Sequence, residues 1–115
     1  MAELVSLLRA LAHGTRYRII SLLLTQDFCV GALAGRLGLS DAAVSQHLRV
    51  LREAGLVKGE RKGYWTHYRV QRDVLKKLAT ALNDLATKPM ETNTSCTSRA
   101  KNPGGMGDRC GYFKG

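Results

Sequence analysis

Leu39-Ser40-Asp41-Ala42-Ala43-Val44-Ser45-Gln46-His47-Leu48-Arg49-Val50-Leu51-Arg52-Glu53-Ala54-Gly55-Leu56-Val57 is the stretch whose reading decides the fold. Val44, Leu48 and Leu51 stand at i, i+4 and i+7, which puts them on one stripe of a helix over 41–54. Ser40 is a good N-cap for that helix, and Asp41 in its first turn suits the helix dipole. Gly55 ends it. Immediately upstream, 30–37 predicts a short helix with Leu33 and Leu37 inward, and Gly38 after it suits a left-handed cap. Two helices therefore meet at a tight glycine turn. Beyond Gly55 the apolar period changes from 3.6 to 2. Leu56-Val57-Lys58-Gly59-Glu60 predicts a short strand, Arg61-Lys62-Gly63 a turn, and Tyr64-Trp65-Thr66-His67-Tyr68-Arg69-Val70 a second strand. The two strands form a β-hairpin with a basic tip.

Outward from this centre the pattern is helical. Leu4, Leu7, Leu8 and Leu11 recur at helical spacing over 3–12, and His13-Gly14-Thr15 breaks the run, with Thr15 a plausible N-cap for the next helix. Tyr17, Ile19, Ile20, Leu23 and Leu24 make 16–25 apolar almost all round, the mark of a buried central helix. Asp73 opens a last helix to about Thr87, striped by Val74, Leu75, Leu78, Leu82 and Leu85. The order is helix, glycine turn, helix, basic hairpin within a mainly α chain: a winged helix-turn-helix with a small β-hairpin. Residues 1–87 are expected to form this domain. Residues 88–115, with little apolar content, are expected to be a flexible, Cys-containing tail.

Composition narrows the function. The chain has 115 residues, 44% of them hydrophobic, which fits one small domain with a packed core. Lys and Arg number 18 against 9 acidic residues, a net charge of +9 that points to a polyanionic partner. The excess is uneven. Between 49 and 77 nine basic residues face Glu53, Glu60 and Asp73, so nine less three leaves +6 in that stretch. No apolar run approaches the ~18 residues of a membrane span, and Met1-Ala2-Glu3-Leu4 opens no basic-then-apolar leader. Three cysteines without a clustered framework argue against a disulfide scaffold and for a reducing cytoplasm. No nucleophile–base pair suggests an enzyme.

The charged stretch covers the elements that would meet double-stranded DNA. A second helix of such a pair fits the major groove while its core stripe anchors it. Without the stripe, Ser40, Asp41, Ala42, Ser45, Gln46 and Arg49 are its outward set. The small residues allow close approach, Gln46 can pair with adenine, and Arg49 can reach guanine or a phosphate. Arg61 and Lys62 at the hairpin can straddle the neighbouring minor groove and phosphates. His47 is expected to make a structural hydrogen bond, His13 and His67 to be surface or turn residues, and Trp65 and Tyr68 to pack the hairpin.

These blocks resemble the arsenic-repressor (ArsR/SmtB) family. Leu8-Arg9-Ala10-Leu11-Ala12-His13-Gly14-Thr15-Arg16 resembles its ALADPTR opening, with His13 and Gly14 in place of Asp-Pro, a departure expected to affect only the helix start. Residues 39–57 resemble its recognition-helix block, and Gly63-Tyr64-Trp65-Thr66-His67-Tyr68-Arg69-Val70 its wing. The resemblance covers roughly 3–87. It implies a homodimeric repressor, joined through its first and last helices and released by an inducer from a palindromic operator. An independent argument agrees: one chain of this size cannot hide both terminal-helix stripes and the central core. Two copies packing 4–11 against 74–85 could bury Leu4, Leu8, Leu11, Leu75, Leu78, Leu82 and Leu85. A two-fold dimer then sets its recognition helices one DNA turn, ~34 Å, apart.

The family's arsenic-type site is a Cys-Val-Cys run at the helix-turn-helix. Here Cys29 matches the first thiol and Gly31 replaces the second. The zinc-type site needs Asp and His on the last helix, which holds Asp73 and Asp84 and no His. Cys96 and Cys110 are the remaining thiols, and an extended chain from Ala86 to Cys96 reaches ~33 Å. Cys29, Cys96 and Cys110 together would suit trivalent arsenic or antimony as inducer, since sulfur ligands select soft ions. The alternatives are a thiol-redox or persulfide sensor, a cadmium or lead sensor, and, in a different class, a protein-interaction winged helix that binds no DNA. Each cysteine also has a plain reading: Cys29 as a small buried hydrophobe, Cys96 and Cys110 as incidental tail residues.

Overall fold

The computed structural model describes residues 2–91. Helices α1 (Ala2–Leu11) and α2 (Gly14–Leu23) precede strand β1 (Phe28–Cys29), and α3 (Val30–Leu37) and α4 (Asp41–Glu53) follow it. Strands β2 (Val57–Lys62) and β3 (Trp65–Val70) lead to α5 (Arg72–Ala86). This is the winged helix-turn-helix expected from the sequence.

The turn between α3 and α4 is built as its residues dictate. Gly38 takes φ +68°, and the N–H groups of Gly38 and Leu39 both donate to the Ala34 carbonyl at 2.8 and 3.1 Å. Ser40 Oγ then accepts from the Ala43 N–H at 3.1 Å and caps α4. Val44, Leu48 and Leu51 are buried and meet Ile19, Ile20, Leu23, Leu33, Leu56 and Val70 in one core. Each such aliphatic side chain contributes about 1.5–3 kcal/mol by leaving water, so this stripe fixes which face of α4 is left to solvent.

Four expectations need correction. The sheet has three strands, not two, in the order β1-β3-β2. Phe28 pairs with Tyr68 and Cys29 with His67, so the segment before α3 is stitched to the wing. The hairpin turn is Gly63-Tyr64, not Arg61-Lys62-Gly63, because the ladder runs on until Lys62 faces Trp65. Gly63 has φ +66° and no other residue type has positive φ among the described residues, which makes this a type II′ turn with glycine where that turn requires it. Helix α2 is not buried all round: Ile19, Ile20 and Leu23 are inside, but Tyr17 is 61% exposed. Its N-cap is His13 rather than Thr15. The His13 ring Nδ1 accepts from the Thr15 N–H at 3.2 Å, so the histidine takes the place of a capping aspartate and the change is confined to the helix start.

Candidate nucleic-acid interface

With its apolar stripe turned inward, α4 presents Ser40, Asp41, Ala42, Ser45, Gln46 and Arg49 outward, and all six are exposed. Short side chains at 40, 42 and 45 leave the backbone of the first two turns uncovered, the part of a recognition helix that meets base edges. Arg49 Nε lies 3.2 Å from Glu53 Oε2, one turn along. An exposed pair at this spacing holds by only about 0.3–0.5 kcal/mol, so it does not withhold the guanidinium from a phosphate.

Arg61 and Lys62 are also exposed, but they sit on β2 before the turn. Arg61 Nε donates to the Gly63 carbonyl at 3.1 Å, which ties that side chain to the tip. The apex itself carries Tyr64, 91% exposed, and Trp65, 62% exposed. Trp65 therefore does not pack the wing as expected, whereas Tyr68 is half-buried against the core. Its ring covers Gly59: a Cβ added there would lie 3.0 Å from Tyr68 Cε2.

Sequence reasoning missed the charges behind the wing. Asp27 Oδ2 accepts from Arg69 Nη2 at 2.9 Å and lies 3.8 Å from Lys62 Nζ, while Arg69 is also 4.0 Å from Glu60 Oε1. The Arg69 hydrogen bond, aided by the nearby cationic charges, holds the Asp27 carboxyl below its ordinary range. The clue in the sequence was a lone acid between two apolar segments, and the pairing of β1 with β3 is what gives it partners.

His47 makes the structural contact expected of it. Arg16 Nε donates to the Ala10 carbonyl at 2.6 Å, and its Nη1 lies 3.4 Å from His47 Nδ1. The His13 and His47 ring centroids are 4.7 Å apart. Burial lowers the pKa of His47, and the charges of His13 and Arg16 push the same way.

Cys29 is a half-buried free thiol at the N-cap position of α3, opposite His67 across the β1–β3 ladder. His67 is not the surface residue expected: it is half-buried, and its Nδ1 is enclosed without a hydrogen-bond partner among the described residues. Among the described residues no group of three or more His, Cys, Asp or Glu could hold a metal ion. Cys96 and Cys110 lie outside the described residues.

Of the residues expected at a dimer interface, Leu4, Leu8, Leu11 and Leu75 are half-buried, and α1 and α5 lie against each other within one chain. Leu78 is 3% exposed in the single chain, so it has no surface left to give to a partner. Leu82 at 41% and Leu85 at 61%, with Val5 at 42%, are the apolar remainder that faces outward. No helix among the described residues is long and apolar enough to cross a membrane.

Comparison with known proteins agrees with this geometry. The family model described as "Bacterial regulatory protein, arsR family" matches residues 13–58, the span from the His13 cap to the first wing strand. The chain is 37% identical over 84 residues to the transcriptional activator HlyU of Vibrio cholerae, covering 73% of this chain and 78% of that protein. It is 40% identical over 67 residues to the arsenic resistance transcriptional regulator ArsR1 of Pseudomonas putida, a match that covers 57% of this chain and 52% of that one. The solution structure of the homodimeric winged helix-turn-helix DNA-binding domain Mb0332 from Mycobacterium bovis superposes with a TM-score of 0.63 at 29% identity, covering 74% of this chain and 80% of that chain. The chain belongs to the arsR family of bacterial regulatory proteins and is a transcriptional regulator, not an enzyme.

Proposed function

We propose that the chain is a cytoplasmic repressor that binds a palindromic operator as a homodimer and dissociates when trivalent arsenic or antimony binds its thiolates. The observation that carries the DNA-binding part is the division of α4: Val44, Leu48 and Leu51 inside, and Ser40, Asp41, Ala42, Ser45, Gln46 and Arg49 all exposed. In this reading Gln46 and Arg49 make the base and phosphate contacts of the major groove, and Arg61 and Lys62 those of the wing. Homodimerisation uses the outward apolar remainder of α1 and α5, with Leu82 and Leu85 as its centre, and the homodimeric Mycobacterium bovis domain supports it.

The inducer reading joins Cys29 to Cys96 and Cys110 in a three-thiolate site for a soft ion. It is supported by the place of Cys29 at the start of α3, where a pulling ligand acts directly on the helix-turn-helix, and by the likeness to the Pseudomonas arsenic regulator. The free dimer holds its recognition helices at a spacing that fits DNA, and the bound ion shifts the population to one that does not. Coupling of ~1–3 kcal/mol weakens DNA binding ~5–150-fold.

The test is a titration of the promoter fragment of its own gene at several salt concentrations, with arsenite, antimonite, cadmium, zinc and peroxide added side by side. Steeply salt-dependent binding that arsenite abolishes is the expected result. Failure to bind the fragment even at low salt refutes the repressor reading. If arsenite still releases DNA from the Cys29→Ser, Cys96→Ser and Cys110→Ser variants alike, the thiolate site is wrong.

A further inference from the structure

We propose that Asp27 is a built-in competitor for the wing: while no DNA is bound, its carboxylate holds Lys62 as a phosphate would and so limits the positive charge the wing offers to DNA. The proposal rests on the reading that β2 and β3 meet the phosphate backbone. It follows from where three cations stand. Lys58 and Lys62 of β2 and Arg69 of β3 lie on one face of the sheet, Lys58 directly opposite Arg69 in the register, and Asp27 stands immediately before β1. Asp27 Oδ2 lies 2.9 Å from Arg69 and 3.8 Å from Lys62, so one carboxylate serves two cations from two strands.

The two contacts differ in strength. Arg69 donates a short hydrogen bond, but Lys62 only approaches within ion-pair distance and keeps half of its side chain in solvent. Lys62 is therefore the cation that exchanges. An ammonium on a flexible stem trades a carboxylate for a phosphate at little cost in this exposed setting. Asp27 and Arg69 also border an open cleft of about 580 Å³, lined in part by Leu24 and Asp73, so water and ions reach the carboxylate. Glu60, 4.0 Å from Arg69, would keep that guanidinium occupied if Asp27 were neutral. Removing the Asp27 charge should thus release one wing cation, not two.

Asp27→Asn keeps the shape of the side chain and removes its charge. Native Lys62 must give up this carboxylate before it meets a phosphate, so Asp27→Asn should raise operator affinity ~1.4–5-fold at 50 mM salt, the worth of one exposed ion pair. The number of phosphate contacts is the same in both proteins, and the gain should shrink toward 200 mM as salt screens the pair. In a Lys62→Gln background Asp27→Asn should give no such gain. Arg61→Gln serves as the reference for the underlying reading, because its charge has no acidic partner among the described residues. If Arg61→Gln flattens the slope of log K against log[salt] while Asp27→Asn leaves affinity unchanged or weakens it, Asp27 is no competitor and the wing reading stands. If Arg61→Gln also leaves the slope unchanged, the wing does not meet phosphates and the proposal falls with that reading.

Discussion

Replacing Gly38 by alanine isolates one physical cost at the helix-turn-helix. Gly38 has φ +68° and ψ +34°, and a Cβ built on it meets nothing within 4 Å. The penalty is therefore one of backbone conformation alone, ~1–2 kcal/mol for an L-residue held left-handed. Alanine also restricts the unfolded chain, which returns ~0.4–1 kcal/mol. The net expectation is a destabilisation of up to about 1.6 kcal/mol, with a Tm drop of ~4–8 °C for each kcal/mol in a domain of this size. Gly35, inside α3, is the internal control. It too has open space around a new Cβ, but its φ is not positive, so Gly35→Ala should stabilise by ~0.5–1 kcal/mol through helix propensity. Gly38→Asn should cost less than Gly38→Ala, since asparagine tolerates the left-handed region. Urea unfolding followed by helical circular dichroism, at one protein concentration for all variants, measures each difference. Shifts of the same sign at positions 35 and 38, or an asparagine as costly as the alanine, would refute this account of the turn.

Three further outcomes are expected. Trp65 is the chain's one tryptophan and stands 62% exposed at the wing apex, so its fluorescence should become less accessible to acrylamide when operator DNA is added; unchanged quenching would mean the wing stays clear of DNA. The pKa of His47 is lowered in the fold from an ordinary value of 6.5, so the unfolded chain binds the proton more readily and stability should fall as pH drops through that value. Urea midpoints at pH 7.5 and 5.5 read this, and His47→Gln should shrink the difference; an equal difference in the variant assigns it to other groups. Leu85→Glu places a charge on an apolar residue with 61% exposure, so it should leave the folded chain intact by circular dichroism and shift sedimentation toward the monomer; an unchanged dimer removes Leu85 from the interface.

What the sequence displayed and what it hid divide along a physical line. Gly38, Ser40 and the Val44-Leu48-Leu51 stripe act locally, within one or two turns, and each lies where the residue types put it. The strand Phe28–Cys29 was invisible because two residues carry no period, and its existence depends on a partner some 40 positions away. The same pairing accounts for the cluster around Asp27, whose partners Lys62 and Arg69 come from the wing. The charge of Arg61-Lys62 resembles that of a loop, yet both belong to the ladder, and Gly63 alone carries the conformational signal of the turn. For α5 the stripe was plain, but its division was not. Leu78 is covered by its own chain and Leu85 is left bare, a difference set by where α5 crosses the body. His13 carries no sequence signal of a cap, since a ring nitrogen does the work usually left to a carboxylate or hydroxyl.

One guanidinium has a wider reach than its size suggests. Arg16 grips two carbonyls in the last turn of α1, at Arg9 and Ala10, with two of its nitrogens and touches His47 of α4 with the third. The first helix and the DNA-facing helix are thereby pinned to one rivet. A tilt imposed on α1 from outside would meet this link before any other part of α4, and a shorter side chain without the guanidinium at position 16 would leave the two helices joined only by their apolar packing.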